Sequence, residues 1–195
     1  MNAELAGFLD ALYRRGRDHD APLADRLLRL RNMTPDAAAL IAALIQANGG
    51  GRVLEIGTSN GYSAIWFGDA VRDLGGRVTT VETEAERVAL ARRNVTEAGV
   101  AAHVELVHGD GAEVLRAAGP ESFDVIVLDA ERPAYPGYLP DLTRTLAAHG
   151  VIAVDNATSH TDQVAPFRRL IEEDPRFAVR LHPVGDGVLT AVRVG

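Results

Sequence analysis

The sequence predicts one α/β domain, a doubly wound and mainly parallel sheet with helices on both faces, and three observations predict it. From Arg52 onward, short apolar runs alternate with segments of helical periodicity, the pattern of βαβ units. The first run, Val53-Leu54-Glu55-Ile56, leads into Gly57-Thr58-Ser59-Asn60-Gly61-Tyr62-Ser63 and then an apolar helical stretch. A strand, a glycine-bearing loop and a helix start in that order mark the place where such a sheet binds a nucleotide-like ligand. Finally, the 195 residues suffice for one well-buried core and are short for two, and no repeat or linker divides them.

At the N-terminus, Leu5, Phe8, Leu9 and Leu12 recur at helical spacing over Glu4–Arg17, and Ala24–Leu30 continues the pattern beyond Pro22. Residues 1–32 therefore read as a helical extension that packs on the domain or on a partner subunit, with residues 33–195 as the core. Thr34 as N-cap and Pro35 at the first helical position open a helix that Asn48-Gly49-Gly50-Gly51 ends. Strands follow at Arg52–Ile56, Arg77–Glu82, His103–His108, Phe123–Leu128 and Val151–Asp155. The intervening or following helices are Gly61–Leu74, Glu84–Ala98, Gly111–Ala118, Gly137–Leu146 and Thr161–Asp174. Two final strands, Phe177–Pro183 and Val188–Val194, flank the turn Val184-Gly185-Asp186-Gly187.

Composition narrows the function. With 27 acidic against 20 basic residues the net charge is −7, and no basic block offers a footprint for nucleic acid or an anionic membrane. No apolar run reaches membrane-spanning length, and Met1-Asn2-Ala3-Glu4 lacks the features of a secretory signal, so a cytoplasmic protein is expected. The absence of cysteine removes disulfides, thiolate metal sites and a cysteine nucleophile.

Ligands of an open α/β sheet bind at the carboxyl ends of its strands. Five successive strands carry an acid there: Glu55, Glu82, Asp110, Asp129 and Asp155. Each alone could cap the next helix, worth about 0.3–1 kcal/mol. Five like charges at one edge call for a cationic ligand. A dinucleotide wants the Gly-x-Gly-x-x-Gly turn, and Gly57 and Gly61 stand three residues apart, which counts against NAD. S-adenosylmethionine has no phosphate, carries a sulfonium and an ammonium, and presents a ribose diol. Glu82 is placed to accept from that diol, Glu55 to shape the amino-acid end, and Asp110 or its loop to lie near the adenine. The backbone of Gly57, Ser59, Gly61 and Tyr62 can approach the methionine portion, and Ser63 can donate to its carboxylate.

Together, Glu55–Ser63, Gly109-Asp110-Gly111, Val127-Leu128-Asp129-Ala130, Val154-Asp155-Asn156 and Gly185-Asp186-Gly187 resemble the class I S-adenosylmethionine-dependent O-methyltransferases of the catechol and caffeoyl-CoA type, over about residues 33–194. The resemblance implies a Rossmann-like seven-stranded sheet with an antiparallel last strand, and a homodimer. It adds Gly111 and Asp129 to the cofactor-binding residues. It also implies a divalent metal, magnesium by the chemistry of its ligands, held by Asp129, Asp155 and Asn156 and chelating two vicinal oxygens of a small aromatic acceptor. Two carboxylates and an amide carbonyl are hard oxygen donors suited to such an ion, although Asp155-Asn156 also reads as a cap and turn pair.

One position departs from the resemblance. The related enzymes usually carry a lysine three residues beyond the first metal aspartate, and this chain has Arg132, which stays protonated and holds an oxyanion rather than accepting a proton. Arg132 could equally pair with Glu131 at the surface. The proton could leave to water or to His160, whose intrinsic pKa suits a base and whose place before a helix suits a cap. Asp129, Arg132 and His160 are thus the catalytic candidates. Tyr62, Trp66, Tyr135 and Tyr138 are the aromatics near the expected mouth, with Trp66 read as core. Two other functions stay open: a nicotinamide-dependent oxidoreductase on similar architecture, and a non-catalytic S-adenosylmethionine-binding protein.

Overall fold

The computed structural model of the chain describes residues 1–194. Its centre is a seven-stranded sheet built from β1 (Arg52–Ile56), β2 (Arg77–Glu82), β3 (Val104–His108), β4 (Phe123–Leu128), β5 (Leu146–Val154), β6 (Phe177–His182) and β7 (Val188–Arg193). The order is β3-β2-β1-β4-β5-β7-β6, with the first five strands parallel and β7 antiparallel to both its neighbours. The mainly parallel sheet with its antiparallel last strand agrees with the fold read from the sequence.

Side-chain alternation divides the core in two. Val53 of β1, Val125 and Val127 of β4 and Val151 of β5 pack beneath α1 (Ala3–Asp20), α2 (Pro35–Asn48) and α3 (Tyr62–Arg72). Their neighbours Leu54, Ile126, Leu128 and Ile152 face the opposite side, under α5 (Gly111–Ala117), α6 (Tyr135–Thr145) and α7 (Thr161–Glu173). A strand buried on both faces must be apolar at every position, so these strands read as continuous runs rather than alternations. The last helix, α4 (Ala85–Glu97), connects β2 to β3.

Leu5, Leu9 and Leu12 seat α1 on the domain, as their spacing predicts. The expected helix over Ala24–Leu30 does not form, and only a 3-10 turn at Arg26–Leu28 stands there. Leu27 and Leu28 are exposed, so a helix here would bury no apolar face. The chain is held extended instead by the Asp20 carboxylate, which accepts from Leu30 N at 2.6 Å and Arg31 N at 2.8 Å, and by the Arg29 guanidinium donating to the Leu23 carbonyl. Strand β5 begins earlier than expected. Leu146 pairs with Phe123 and Val151 with Val125, so the residues between them bulge outward around His149, whose φ is 61°. Helix α6 starts at Tyr135 because Pro136 is tolerated in a first turn.

The order reverses between β2-β1 and β4-β5, and the crevice of a doubly wound sheet lies at such a switch, beyond the strand carboxyl ends. The loops there continue the ladder: Gly57 N donates to Val81 O, Gly109 N to Glu82 O, Asp129 N to Ile56 O and Asp155 N to Leu128 O, all at 2.9–3.1 Å.

Candidate active site

A cavity of about 1130 Å³ opens at this switch point. That is at the upper end of the range for small-molecule sites. Its floor is the loop Gly57–Tyr62, where two backbone positions demand glycine. Gly57 has φ 108° and any Cβ on it would overlap the Asp129 carbonyl; Gly61 has φ 85° and caps α3. Ser59, at φ 49°, is also left-handed, held by its N–H to Glu82 Oε2 at 2.8 Å and its hydroxyl to the Leu30 carbonyl at 2.6 Å. Tyr62 and Ser63 line the cavity from the first turn of α3.

Glu82 ends β2 and lines the cavity while nearly buried. Oε1 accepts from Thr83 N at 2.9 Å and Glu84 N at 3.1 Å, so this one carboxylate pins the loops after β1 and β2. Oε1 also accepts from Thr83 Oγ1, whereas Oε2 takes only the Ser59 N–H and so keeps an acceptor position for a hydroxyl of a bound diol. Asp110 also lines the cavity and caps α5, its Oδ1 accepting from Ala112 N and Glu113 N; cap and lining coexist. Gly111 lets α5 close on Ile56, whose Cγ2 a Cβ would meet at 2.5 Å.

Two of the five acids are not at the edge. Glu55 is fully buried below the loop, outside the lining, its Oε2 accepting from Thr80 Oγ1 at 2.5 Å and its Oε1 without a partner. Burial is the main force that pushes this carboxyl up to about 7; the Ser63 and Thr80 hydroxyls oppose the rise and the Glu82 charge adds to it. A carboxyl raised in the folded state binds more protons than in the unfolded chain, so stability is greatest below about 4.5 and is lost as pH climbs through about 7. Melting temperatures should therefore fall from pH 5 to pH 8 in the wild type, and Glu55→Gln should flatten that fall; parallel curves would show that Glu55 does not titrate there.

Asp155 is likewise buried at the end of β5, with Oδ2 accepting from Asn156 Nδ2 at 3.1 Å and Oδ1 unpartnered. Burial raises it to about 6, and Asp186 adds to the rise while Arg132 opposes it. Asp129 is half-buried on the cavity wall, and burial together with the charges of Asp155 and Glu55 lifts its carboxyl well above the ordinary range. Asn156 holds φ 61°, and its Oδ1 accepts from Arg132 Nη2. Arg132 is turned inward and 4% exposed, its Nε and Nη1 without partners. The surface pairing with Glu131 does not occur, since Glu131 instead meets Arg26 at 3.2 Å and Arg31 at 3.4 Å. His160 lines the same cavity; burial, then the charges of Arg132 and Arg26, lower its pKa, and its Nδ1 lies 2.9 Å from Ser159 Oγ.

The donor types of Asp129, Asp155 and Asn156 suit a hard divalent ion, yet their placement does not fit one. The Asn156 oxygen is taken by the Arg132 guanidinium, whose charge acts on the Asp129 and Asp155 carboxyls without an ion pair to either. Among the described residues no cluster of three or more His, Cys, Asp or Glu side chains could hold a metal.

Of the cavity's outer wall, the resemblance pointed only to Met33, and sequence reasoning missed residues 26–32. Residues 26–33 lie across it, tied to the loop after β1 by Ser59, to α4 by Arg87 donating to the Leu27 and Arg29 carbonyls, and to the loop after β4 by Glu131. A helix expected over Ala24–Leu30 hid this role; the Asp25 side chain, which caps the short turn at Leu27 N, was the available signal. Tyr135 was read at the mouth and is fully buried, its hydroxyl bonded to both N–H and carbonyl of Ala130; Tyr138 does line the cavity, and Trp66 packs against the core.

Comparison with known proteins agrees with this architecture. A family model described as O-methyltransferase matches residues 23–194. A Mycobacterium tuberculosis protein named as an O-methyltransferase is 36% identical over 174 residues, covering 83% of this chain and 77% of its own length. A Mycolicibacterium smegmatis protein with such a name is 34% identical over 174 residues, covering 83% and 82%. Among solved structures, the O-methyltransferase TomG of Streptomyces achromogenes, in complex with S-adenosylmethionine, superposes with a TM-score of 0.76 at 25% identity over 100% of this chain and 91% of TomG. The Bacillus cereus O-methyltransferase, in complex with S-adenosylhomocysteine, shares the fold at a TM-score of 0.77 and 24% identity, over 96% and 90%.

Proposed function

Because the chain belongs to the S-adenosylmethionine-dependent O-methyltransferase family, we propose that its cavity binds S-adenosylmethionine along the Gly57–Ser63 loop and Glu82, and passes the methyl group to a hydroxyl of a small aromatic acceptor. The observation that carries this reading is the Glu82 carboxylate, held by three backbone N–H groups at the end of β2 beside a glycine loop. A negative acceptor fixed in that position suits the diol of a ribose, and the glycine loop beside it suits close approach of the methionine end.

Bound there, S-adenosylmethionine supplies a methyl group on a sulfonium, which leaves as a neutral thioether when an acceptor oxygen takes the methyl carbon. The protein's part is to orient that oxygen for in-line attack and to take its proton. His160 suits the second task. Burial, then the charges of Arg132 and Arg26, favour its neutral form, and Ser159 engages Nδ1, leaving Nε2 for the acceptor proton. Asp129 stands on the same wall. The vicinal-diol acceptor expected from the resemblance rested on chelation by a metal, and the placement of Arg132 withdraws that support. A homodimer, supported by the resemblance alone, and a cytoplasmic location, expected from the sequence, complete the reading; sedimentation velocity on the full chain checks the first.

Incubation with methyl-labelled S-adenosylmethionine and a panel of phenols and catechols should give labelled ether products and S-adenosylhomocysteine. Cofactor binding with no product from any of them would favour a non-catalytic binder.

A further inference from the structure

Arg132 is a cavity residue that neither packing nor surface pairing explains. A permanent cation withdrawn from water is tolerated only where anions or acceptors surround it. Here it is 4% exposed, bonded to Asn156 Oδ1 and electrostatically coupled to Asp129 and Asp155. Those are the oxygens that would otherwise hold a divalent ion. Two of its nitrogens, Nε and Nη1, are buried donors that no protein atom accepts, although the residue lines the cavity wall. Buried polar groups are normally bonded, so an unmatched pair of donors on a cavity residue calls for a functional explanation.

We propose that the Arg132 guanidinium, bonded to Asn156 Oδ1, supplies to Asp129, Asp155 and Asn156 the positive charge that a divalent ion would bring, so that this chain works without metal and steadies the acceptor oxygen with Arg132. The inference rests on the methyltransferase reading. It also sets the substrate class. An ion chelates two neighbouring oxygens and thereby selects vicinal diols; a guanidinium asks for one oxygen with developing negative charge. The acceptor is a phenol that needs no second hydroxyl beside the first. In the transfer the phenol oxygen forms the new bond to carbon, the bond from carbon to sulfur breaks with its electron pair left on sulfur, and the phenol proton passes to His160.

The test is manganese uptake, followed by the loss of the free-ion paramagnetic resonance signal, with S-adenosylhomocysteine present. Wild type should leave the signal unchanged. Arg132→Ala, which frees the three oxygens, should bind a stoichiometric amount, and Arg132→Met keeps the volume should the alanine variant not fold. Uptake by the wild type, abolished in Asp155→Asn, would overturn the proposal. Uptake by none of these proteins would overturn it too, since the three oxygens would then be no cation site for arginine to fill. Calorimetry of S-adenosylhomocysteine on the same samples separates the two readings, because absence of binding by wild type counts against the methyltransferase site itself, whatever manganese does.

Discussion

Gly57→Ala should lower the unfolding free energy by about 2–5 kcal/mol, combining the strain of a forced left-handed backbone with the overpacking of a closed core. At φ 108° the residue lies outside the range a side chain adopts comfortably, and the added carbon would overlap the carbonyl of Asp129. Relief would require β1 and β4 to part where Asp129 N donates to Ile56 O, so cofactor and acceptor subsites would be disturbed together. Urea denaturation monitored by circular dichroism reads the effect. Gly137→Ala is the control: it lies in α6 with nothing within 4 Å of a new Cβ, and it should be neutral or stabilising by up to about 1 kcal/mol. Equal stabilities for the two variants would show that the loop relaxes freely and is no rigid cradle.

Glu82→Ala should weaken S-adenosylmethionine binding on the order of 100-fold, about 3 kcal/mol, the loss expected when charged hydrogen bonds to a diol vanish. A second contribution adds to the first. The same carboxylate holds Ser59 N and Glu84 N, so its removal frees both loops that shape the floor of the cavity. Calorimetric titration measures the affinity and thermal melting checks that the variant is folded. An unchanged affinity would remove Glu82 from the binding site.

What could be read from the sequence follows from what is local. Strands buried on both faces, the cap at Thr34, the glycine loop and the acids at strand ends are each written in a few consecutive residues, and the structure places the corresponding elements within a few positions of expectation. Tertiary facts were not legible. Glu55 and Asp155 look identical in pattern to Glu82, yet the first two are sealed beneath the loops while the third lines the cavity. Nothing near Arg132 in the chain says that it turns inward, because its partner Asn156 is 24 residues away. The segment 24–30 has helical spacing and stays mostly extended, because its contacts are made with Asp20, Ser59, Arg87 and Glu131 rather than with its own neighbours.

The cavity at the switch of the sheet is proposed here as an S-adenosylmethionine site. Its most direct test is calorimetric titration of S-adenosylmethionine into the purified full chain, run with excess EDTA and again with NAD in its place. S-adenosylmethionine should bind saturably, one to one, with EDTA leaving the binding unchanged, and NAD should give no comparable heat. No binding of S-adenosylmethionine, or tighter binding of NAD, would contradict it.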